Sequence, residues 1–159
     1  MERVDDIDVR ILQLLQGSGR MKRSEIAEDV GMSIPSVSDR MRKLEERGVI
    51  TGYCAVVDAK RLRFDITAFI RVSIERSDHY GDFVAQAMSL PEVLEAHSIT
   101  GEGSHILKIR TRDTTSLEKL LSQVQALPGV SGTSTSIVLS TFKESLTVPV
   151  EPVTLHGGT

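Results

Sequence analysis

The sequence predicts an α+β protein whose N-terminal part is helical and whose C-terminal part has the element order β-α-β-β-α-β. The chain has 159 residues, which is enough for one domain or two small ones. Apolar residues recur at helical spacing in the first half, whereas the second half contains runs that alternate as strands do. Apolar residues make up 40% of the chain but aromatic residues only 4%, so the core is predicted to be mostly aliphatic.

Three helices are predicted in the first half. The first begins after the cap Asp5 or Asp6 and carries apolar residues at the i, i+4, i+7 and i+8 positions that make one buried stripe. A second, short helix covers about residues 23–30 and ends at Gly31. The third begins after the cap Ser33 and runs to about residue 47, with its buried stripe formed by Val37, Met41 and Leu44.

In the second half, two helices and four strands are predicted. The strands are runs rich in β-branched or small residues, and the helices carry apolar residues on one face and end near a proline. Strands are expected over about 66–75, 93–100, 105–112 and 130–139, and helices over 78–90 and 114–127. This order is the split βαβ, or ferredoxin-like, arrangement.

The predicted domain organisation has four segments. A helix-turn-helix domain covers residues 1–50 and the ferredoxin-like domain covers residues 65–140. Residues 51–64 are predicted to be a connecting strand or hinge, because the run from Tyr53 to Val57 is β-like. The tail, residues 141–159, contains prolines and a Gly-Gly pair and is expected to be extended or disordered.

The second and third helices, joined by a short turn, match a helix-turn-helix pattern. In this motif the later helix, here the third helix of the chain, enters the major groove of DNA. Its hydroxyl and cationic side chains would contact phosphates or base edges. The candidate DNA contacts are Arg20, Lys22, Arg23, Ser33, Ser36, Ser38, Arg40, Arg42 and Lys43. The alternative is a plain three-helix bundle with a solvated charged face, since Asp39, Glu45 and Glu46 dilute the positive charge.

The charge distribution is compatible with DNA binding although the net charge is −3. Residues 1–63 hold 12 Lys and Arg against 11 Asp and Glu, a net charge of +1, whereas residues 64–159 hold 7 against 11, a net charge of −4. A local basic surface can therefore coexist with an acidic second half, and the local field is what meets DNA.

A glycine-containing turn at residues 100–104 is the candidate ligand site. Glycine lets backbone N–H groups approach a bound carboxylate closely, and Thr100 and Ser104 add hydroxyl groups. The alternative is a tight hairpin turn whose glycines serve only the backbone conformation.

Signals for an enzyme, a cofactor or a metal are weak. The four histidines lack metal-ligand spacing, and no phosphate-binding, dinucleotide-binding or nucleophile-elbow motif occurs. The lone cysteine, Cys54, excludes an internal disulfide and a cysteine-based zinc site. The polar start of the chain and its short apolar runs predict neither a signal peptide nor a membrane span, so a cytoplasmic location is expected.

Long ordered patterns in both halves resemble the Lrp/AsnC (feast/famine) transcriptional regulators. The first half has D-x-x-D-x-x-I-L at its start, then G-R, E-I-A and G-M-S, followed by V-x-x-R-x-x-x-L-E-x-x-G-x-I at 37–50 and G-Y at 52–53. The second half has T-G-x-x-S-x-x-L-K at 100–108 and P-G-V-x-x-T-x-T-x-I-V-L at 128–139. The resemblance covers about residues 3–142.

The resemblance implies a winged-helix-like DNA-binding domain and a ligand-binding domain of the ACT/RAM type. It also implies homodimers that assemble into octamers or similar rings, and an amino-acid effector where sheets of neighbouring dimers meet. In that pocket, backbone N–H groups or hydroxyls would hold the α-carboxylate and Glu102 or a backbone carbonyl would meet the ammonium group. The candidate effector contacts are Thr100, Gly101, Glu102, Gly103, Ser104, His105, Thr133 and Thr135.

Two functional hypotheses follow. The first is a DNA-binding transcriptional regulator that responds to an amino acid or a related metabolite. The second is an amino-acid-sensing module that controls an enzyme by protein–protein contact. A docking helix would present exposed apolar anchors, so the outward set of Ser36, Arg40, Arg42 and Lys43 favours DNA.

Overall fold

The computed structural model describes residues 2–155 and divides them into two compact units. One unit contains residues 2–56 together with residues 143–155, and the other contains residues 57–142. The C-terminal tail therefore packs with the N-terminal helices rather than with the domain that it follows in sequence. None of the helices in residues 2–155 has the length and apolar character needed to cross a membrane.

The helical unit contains the three predicted helices and one short ribbon of two strands. The helices are α1 (Asp6–Gly17), α2 (Arg23–Val30) and α3 (Ile34–Glu46). Asp5 caps α1 by accepting a hydrogen bond from the backbone N–H of Asp8, and Ser33 caps α3. An aliphatic core that includes Ile11, Ile26, Val37 and Leu44 holds the three helices together.

Strands β1 (Glu2–Val4) and β6 (Val153–Leu155) form an antiparallel ribbon in this unit. Val4 is buried in the helical core, and Leu155 and Val150 pack against the same core. The Gln16 side chain exchanges two hydrogen bonds with the backbone of Val148, which holds the tail on α1. Part of the tail that the sequence suggests to be extended or disordered is thus an ordered strand, while residues 156–159 lie outside the described residues.

The second unit has the predicted β-α-β-β-α-β order. Its elements are β2 (Ile66–Ile74), a 3₁₀ turn (Ser77–His79), α4 (Tyr80–Met88), β3 (Val93–Ser98), β4 (His105–Thr111), α5 (Thr114–Gln125) and β5 (Val130–Ile137). The sheet order is β3-β4-β2-β5, and every neighbouring pair is antiparallel. The α+β class and the ferredoxin-like arrangement are confirmed.

The two helices cover one face of this sheet. Ala68, Ile70 and Val72 of β2 are fully buried, and so are Leu107 and Ile109 of β4. They pack against side chains of both helices, among them Phe83, Leu120 and Val124. The opposite face carries Phe69, Arg71 and Lys108, and Phe69 remains 37% exposed.

No strand lies between α3 and β2 in the described chain, so the predicted connecting strand is absent. Residues 51–58 are exposed and have no regular structure. A strand requires a partner strand to satisfy its backbone N–H and C=O groups, and this segment pairs with no strand of residues 2–155. Tyr53 instead donates its hydroxyl hydrogen bond to Glu45 of α3 at 2.8 Å.

Candidate DNA-binding surface and ligand turn

The exposed face of α3 carries two cations on a scaffold that the core holds in place. Val37, Met41 and Leu44 are buried, which turns Arg42 and Lys43 outward with just over half of each side chain exposed. Arg42 pairs with Asp39 and Glu46 at 2.5 Å, and Lys43 pairs with Asp39 at 2.7 Å. Such exposed pairs contribute at most about 1 kcal/mol, so both cations can exchange these partners for phosphates.

Arg40, a third predicted contact, is committed to the interior of the domain. Its Nη1 lies 2.8 Å from Asp8 Oδ1 and 2.9 Å from Asp5 Oδ2, and only 26% of its side chain is exposed. Asp8 is buried at the start of α1 and needs a cationic partner there. In this structure Arg40 therefore fixes α3 against α1, and its contact with DNA stays a prediction.

Hydroxyl groups at the start of α3 pair with each other. Ser33 Oγ lies 2.7 Å from Ser36 Oγ and accepts a hydrogen bond from the Ser36 backbone N–H. Ser38 lies half-buried further along the helix. The other predicted contacts, Arg20, Lys22 and Arg23, are exposed at and just before the start of α2.

A groove of about 560 Å³ runs along one flank of α3. Residues of α3, the start of α1 and strand β1 line it, and most of them are charged. The lining residues are Arg3, Asp5, Asp8, Met32, Pro35, Ser36, Asp39, Arg40, Lys43 and Arg47. Arg3 and Arg47 were not among the predicted contacts, because one precedes the first helix and the other lies at the end of the third.

The predicted ligand turn connects β3 to β4. Gly101 and Gly103 have positive φ angles of 99° and 84°, which glycine adopts without steric cost. A Cβ atom on Gly103 would lie only 3.2 Å from the carbonyl oxygen of Val72. Thr100, Gly101 and Glu102 are exposed, so this part of the turn is open to a ligand.

The side chain of Ser104 is occupied by contacts within the chain. Its Oγ accepts a hydrogen bond from the backbone N–H of Ile74 and lies 3.2 Å from the carbonyl oxygen of Val72. The same oxygen lies 3.0 Å from Nδ1 of His105. Ser104 therefore joins the turn to β2, and its hydroxyl is not offered to a ligand in this conformation.

His105 lies in the core rather than in a ligand pocket. It is only 3% exposed and shares the helix-covered face of β4 with Leu107 and Ile109. Its ring contacts Tyr80 edge-on and Phe83 at centroid distances of 4.9 and 5.0 Å. The prediction that His105 contacts an effector is therefore not supported by its buried position. The period-2 alternation of β4 with its two aliphatic neighbours could have indicated this position.

Thr133 and Thr135 also lie on the helix-covered side of the sheet. They pair in register with the buried residues Val72 and Ile70 of β2. Thr133 accepts a hydrogen bond from Nε2 of Gln125 on α5 at 3.0 Å. The turn and these two threonines are thus not brought onto one open surface of the chain.

Burial lowers the pKa of His105, which makes stability depend on pH. Since the folded state binds this proton less readily than the unfolded state, stability is full above the ordinary pKa of about 6.5 and falls below it. We expect His105→Phe to lose less unfolding free energy than the wild type between pH 7.5 and 5.5 in urea denaturation. The exposed His97→Phe variant should follow the wild type; an equal loss in all three proteins would contradict the assignment.

No group of three or more His, Cys, Asp or Glu side chains suited to a metal ion occurs within residues 2–155. The candidate contacts described above lie on two surfaces. One is the cationic face of a helix-turn-helix, and the other is an open glycine turn.

Comparisons with known proteins agree with both parts of this description. Residues 4–51 match a winged helix-turn-helix DNA-binding family, and residues 67–148 match the Lrp/AsnC ligand binding domain. The HTH-type transcriptional regulator FL11 of Pyrococcus horikoshii is 34% identical over 148 residues, which cover 93% of this chain and 97% of that protein. The leucine-responsive regulatory protein of Salmonella typhimurium is 34% identical over 145 residues, covering 89% and 88%.

Solved structures show the same architecture. A transcriptional regulator of Neisseria meningitidis in complex with L-methionine superposes with a TM-score of 0.86 at 32% identity, covering 91% of this chain and 96% of that one. AsnC of E. coli gives a TM-score of 0.85 at 31% identity, covering 92% and 98%. These relatives are DNA-binding regulators rather than enzymes, and the match spans both domains. The chain belongs to the Lrp/AsnC family of transcriptional regulators.

Proposed function

We propose that this regulator binds double-stranded DNA through α3 and that an amino acid at the turn of residues 100–103 modulates its binding or assembly. The observation that carries the DNA part is the exposed pair Arg42 and Lys43, held outward by a buried aliphatic stripe on the same helix. The helix-turn-helix scaffold would place this face in the major groove, where cations meet phosphates and guanines.

The test of DNA recognition is in vitro selection. Full-length protein is used to select duplexes from a random library, and the selection is repeated with each of the twenty amino acids present. We expect an enriched sequence whose half-sites are one helical turn, or a multiple of it, apart, because symmetric dimers read symmetric sites. Failure to enrich any sequence under all conditions would contradict a sequence-specific regulator.

The effector proposal is supported by relatives and by the open turn. One similar structure from Neisseria meningitidis and one from M. tuberculosis are complexes with L-methionine. In this chain, the backbone of Gly101 and Gly103 can approach a carboxylate, and Glu102 is an exposed carboxylate that can accept from an ammonium group. L-Methionine is therefore the first ligand to test.

We expect Glu102→Gln to weaken binding of the responsive amino acid about tenfold or more, since it removes a charge-assisted hydrogen bond worth roughly 1.5–3 kcal/mol. The measurement is calorimetric titration of the full-length protein. Glu118→Gln on the exposed face of α5 is the matched control and should bind as the wild type does. Equal affinity of the wild type and Glu102→Gln for a proven ligand would exclude this carboxylate from the site.

We also propose that the chain functions as a homodimer that assembles further, with an octamer as the expected ring. The support is the sheet face opposite the helices, where Phe69 is 37% exposed beside Lys108 and Ser136. A second copy would cover this face. In light scattering we expect wild type above monomer mass and Phe69→Glu shifted toward monomer, with Gln123→Glu on α5 unchanged. A monomeric wild type at micromolar concentration would contradict the proposal.

A further inference from the structure

We propose that the β1–β6 ribbon is a second DNA-contacting element, in which Arg3 binds a backbone phosphate beside α3. This inference rests on the proposed DNA-binding role of α3. The two strands of this ribbon lie about 150 residues apart in sequence and pair with each other. The proposal gives that pairing a role in DNA recognition. Among the described residues of the helical unit, this ribbon is also the sole β structure that could serve as a wing.

The alternation of the ribbon turns Arg3 away from the core. Val4 is 2% exposed and faces the helices, as expected of a residue whose neighbours point to the opposite side. Arg3 is exposed, and Thr154 lies directly opposite it in the antiparallel register. One face of the ribbon therefore packs on the helices and the other faces solvent.

The ribbon is tied to α3 itself. Arg47, the residue that follows α3, donates a hydrogen bond from Nη2 to the carbonyl oxygen of Arg3 at 3.1 Å. Val4, Val150 and Leu155 pack in the same core that holds the buried stripe of α3. Backbone and core contacts therefore hold Arg3 in a fixed position relative to α3.

The charge of the groove between the ribbon and α3 favours an anion. Its carboxylates are engaged, because Asp5 and Asp8 pair with Arg40, and Asp39 pairs with Arg42 and Lys43. Among the side chains described in residues 3–155, no carboxylate lies within ion-pair distance of the Arg3 guanidinium, and Arg3 lines the groove beside Ser36 and Lys43. Arg3 therefore contributes a positive charge that no acid in the groove neutralises.

A DNA backbone is the anion that fits this position. A helix seated in the major groove has a sugar-phosphate backbone along each flank, and residues beside the helix meet phosphates rather than base edges. The groove containing Arg3 lies along such a flank of α3. A guanidinium also suits a phosphate because its planar fork of donors matches two phosphate oxygens.

The experiment measures affinity and salt dependence for a duplex selected by the wild-type protein and for an unrelated duplex. We expect Arg3→Ala to weaken binding to both duplexes and to flatten the plot of log K against log [salt] by about 1. Lys119→Ala removes one charge from the exposed face of α5, in the other unit of the chain, and should leave the slope unchanged. Arg3→Lys should restore most of the slope, since it restores the charge.

Thr154 provides a test with the opposite sign. Because Thr154 lies opposite Arg3, Thr154→Lys should steepen the salt slope and Thr154→Glu should flatten it. Unchanged slopes for Arg3→Ala and both Thr154 variants, in proteins that melt as the wild type does, would overturn the ribbon contact. If the ribbon variants have unchanged slopes but Lys43→Ala still weakens binding, only the ribbon contact is refuted and the role of α3 stands. If the wild type itself binds no duplex specifically, the proposed function is refuted.

Discussion

Replacing Arg40 by alanine is expected to lower the free energy of unfolding of the helical unit by about 2–3 kcal/mol, which is less than for a fully buried pair because a quarter of the Arg40 side chain is exposed. The reason is the carboxylate of Asp8, which is buried at the start of α1 and has Arg40 Nη1 at 2.8 Å. Without the guanidinium, that carboxylate stays in the interior without its cationic partner. Breaking a buried pair in this way costs more than the pair contributes, because one charge remains uncompensated.

The matched control is Arg42→Ala on the same helix. Arg42 also contacts two carboxylates, but all three side chains are about half exposed, so a change below about 1 kcal/mol is expected. The measurement is urea denaturation followed by circular dichroism at pH 7. Equal losses for the two variants would show that the Arg40 cluster is no stronger than a surface pair.

The same cluster should respond to acid. Burial acts to raise the pKa of Asp5, but hydrogen bonds from the Asp8 backbone and from Arg40 outweigh it, and the pKa lies below its ordinary value. A lowered pKa in the folded state stabilises the protein above the ordinary value of 3.8 and loses that contribution as the pH falls below it. The difference between the wild type and Arg40→Ala should therefore shrink toward pH 3.

Replacing Arg42 and Lys43 together by alanine is expected to produce the largest loss of DNA affinity. If each cation meets one phosphate, the double variant loses about two units of salt slope and Lys43→Ala loses about one. Arg40 is left in place in this experiment, because its removal would unsettle the fold and confuse the result. Binding is measured on selected and unrelated duplexes across a range of salt concentrations.

Asp39→Asn provides the opposite test on the same surface. Asp39 pairs with both Arg42 and Lys43, so its neutralisation should leave more positive charge for phosphates and strengthen binding. Lys119→Ala on α5 is the control for the Arg42 and Lys43 variants, because it removes one positive charge outside the helical unit. An unchanged salt slope in the double variant, with its fold intact, would exclude this face of α3 as the DNA contact.

Most elements could be predicted from the sequence because their signals are local. Asp5 and Ser33 cap helices through hydrogen bonds to residues three positions away, and the buried stripe of α3 follows helical spacing. The predicted bounds differ from the observed ones mainly at element ends. The helix predicted from residue 78, for example, begins with a 3₁₀ turn, and the strand predicted to residue 100 ends at Ser98.

The roles of particular side chains depended on distant parts of the chain. The sequence shows Arg40 on the flank of an amphipathic helix, where a DNA contact and a structural pair look alike. Its partners Asp5 and Asp8 lie more than thirty residues away, and only packing of α3 on α1 brings them together. Ser104 likewise became a link to β2 because the sheet order places β2 beside β4.

By itself, the sequence determined the helical and strand periods, the caps and the family patterns, since each is written in residues close together along the chain. The tertiary structure decided that the tail returns to pair with β1, that His105 faces α4, and that Arg40 points inward. These outcomes are pairings between residues far apart in sequence. The free energy of these pairings depends on which surfaces the fold brings into contact. A local sequence pattern cannot predict contacts between residues that are distant along the chain.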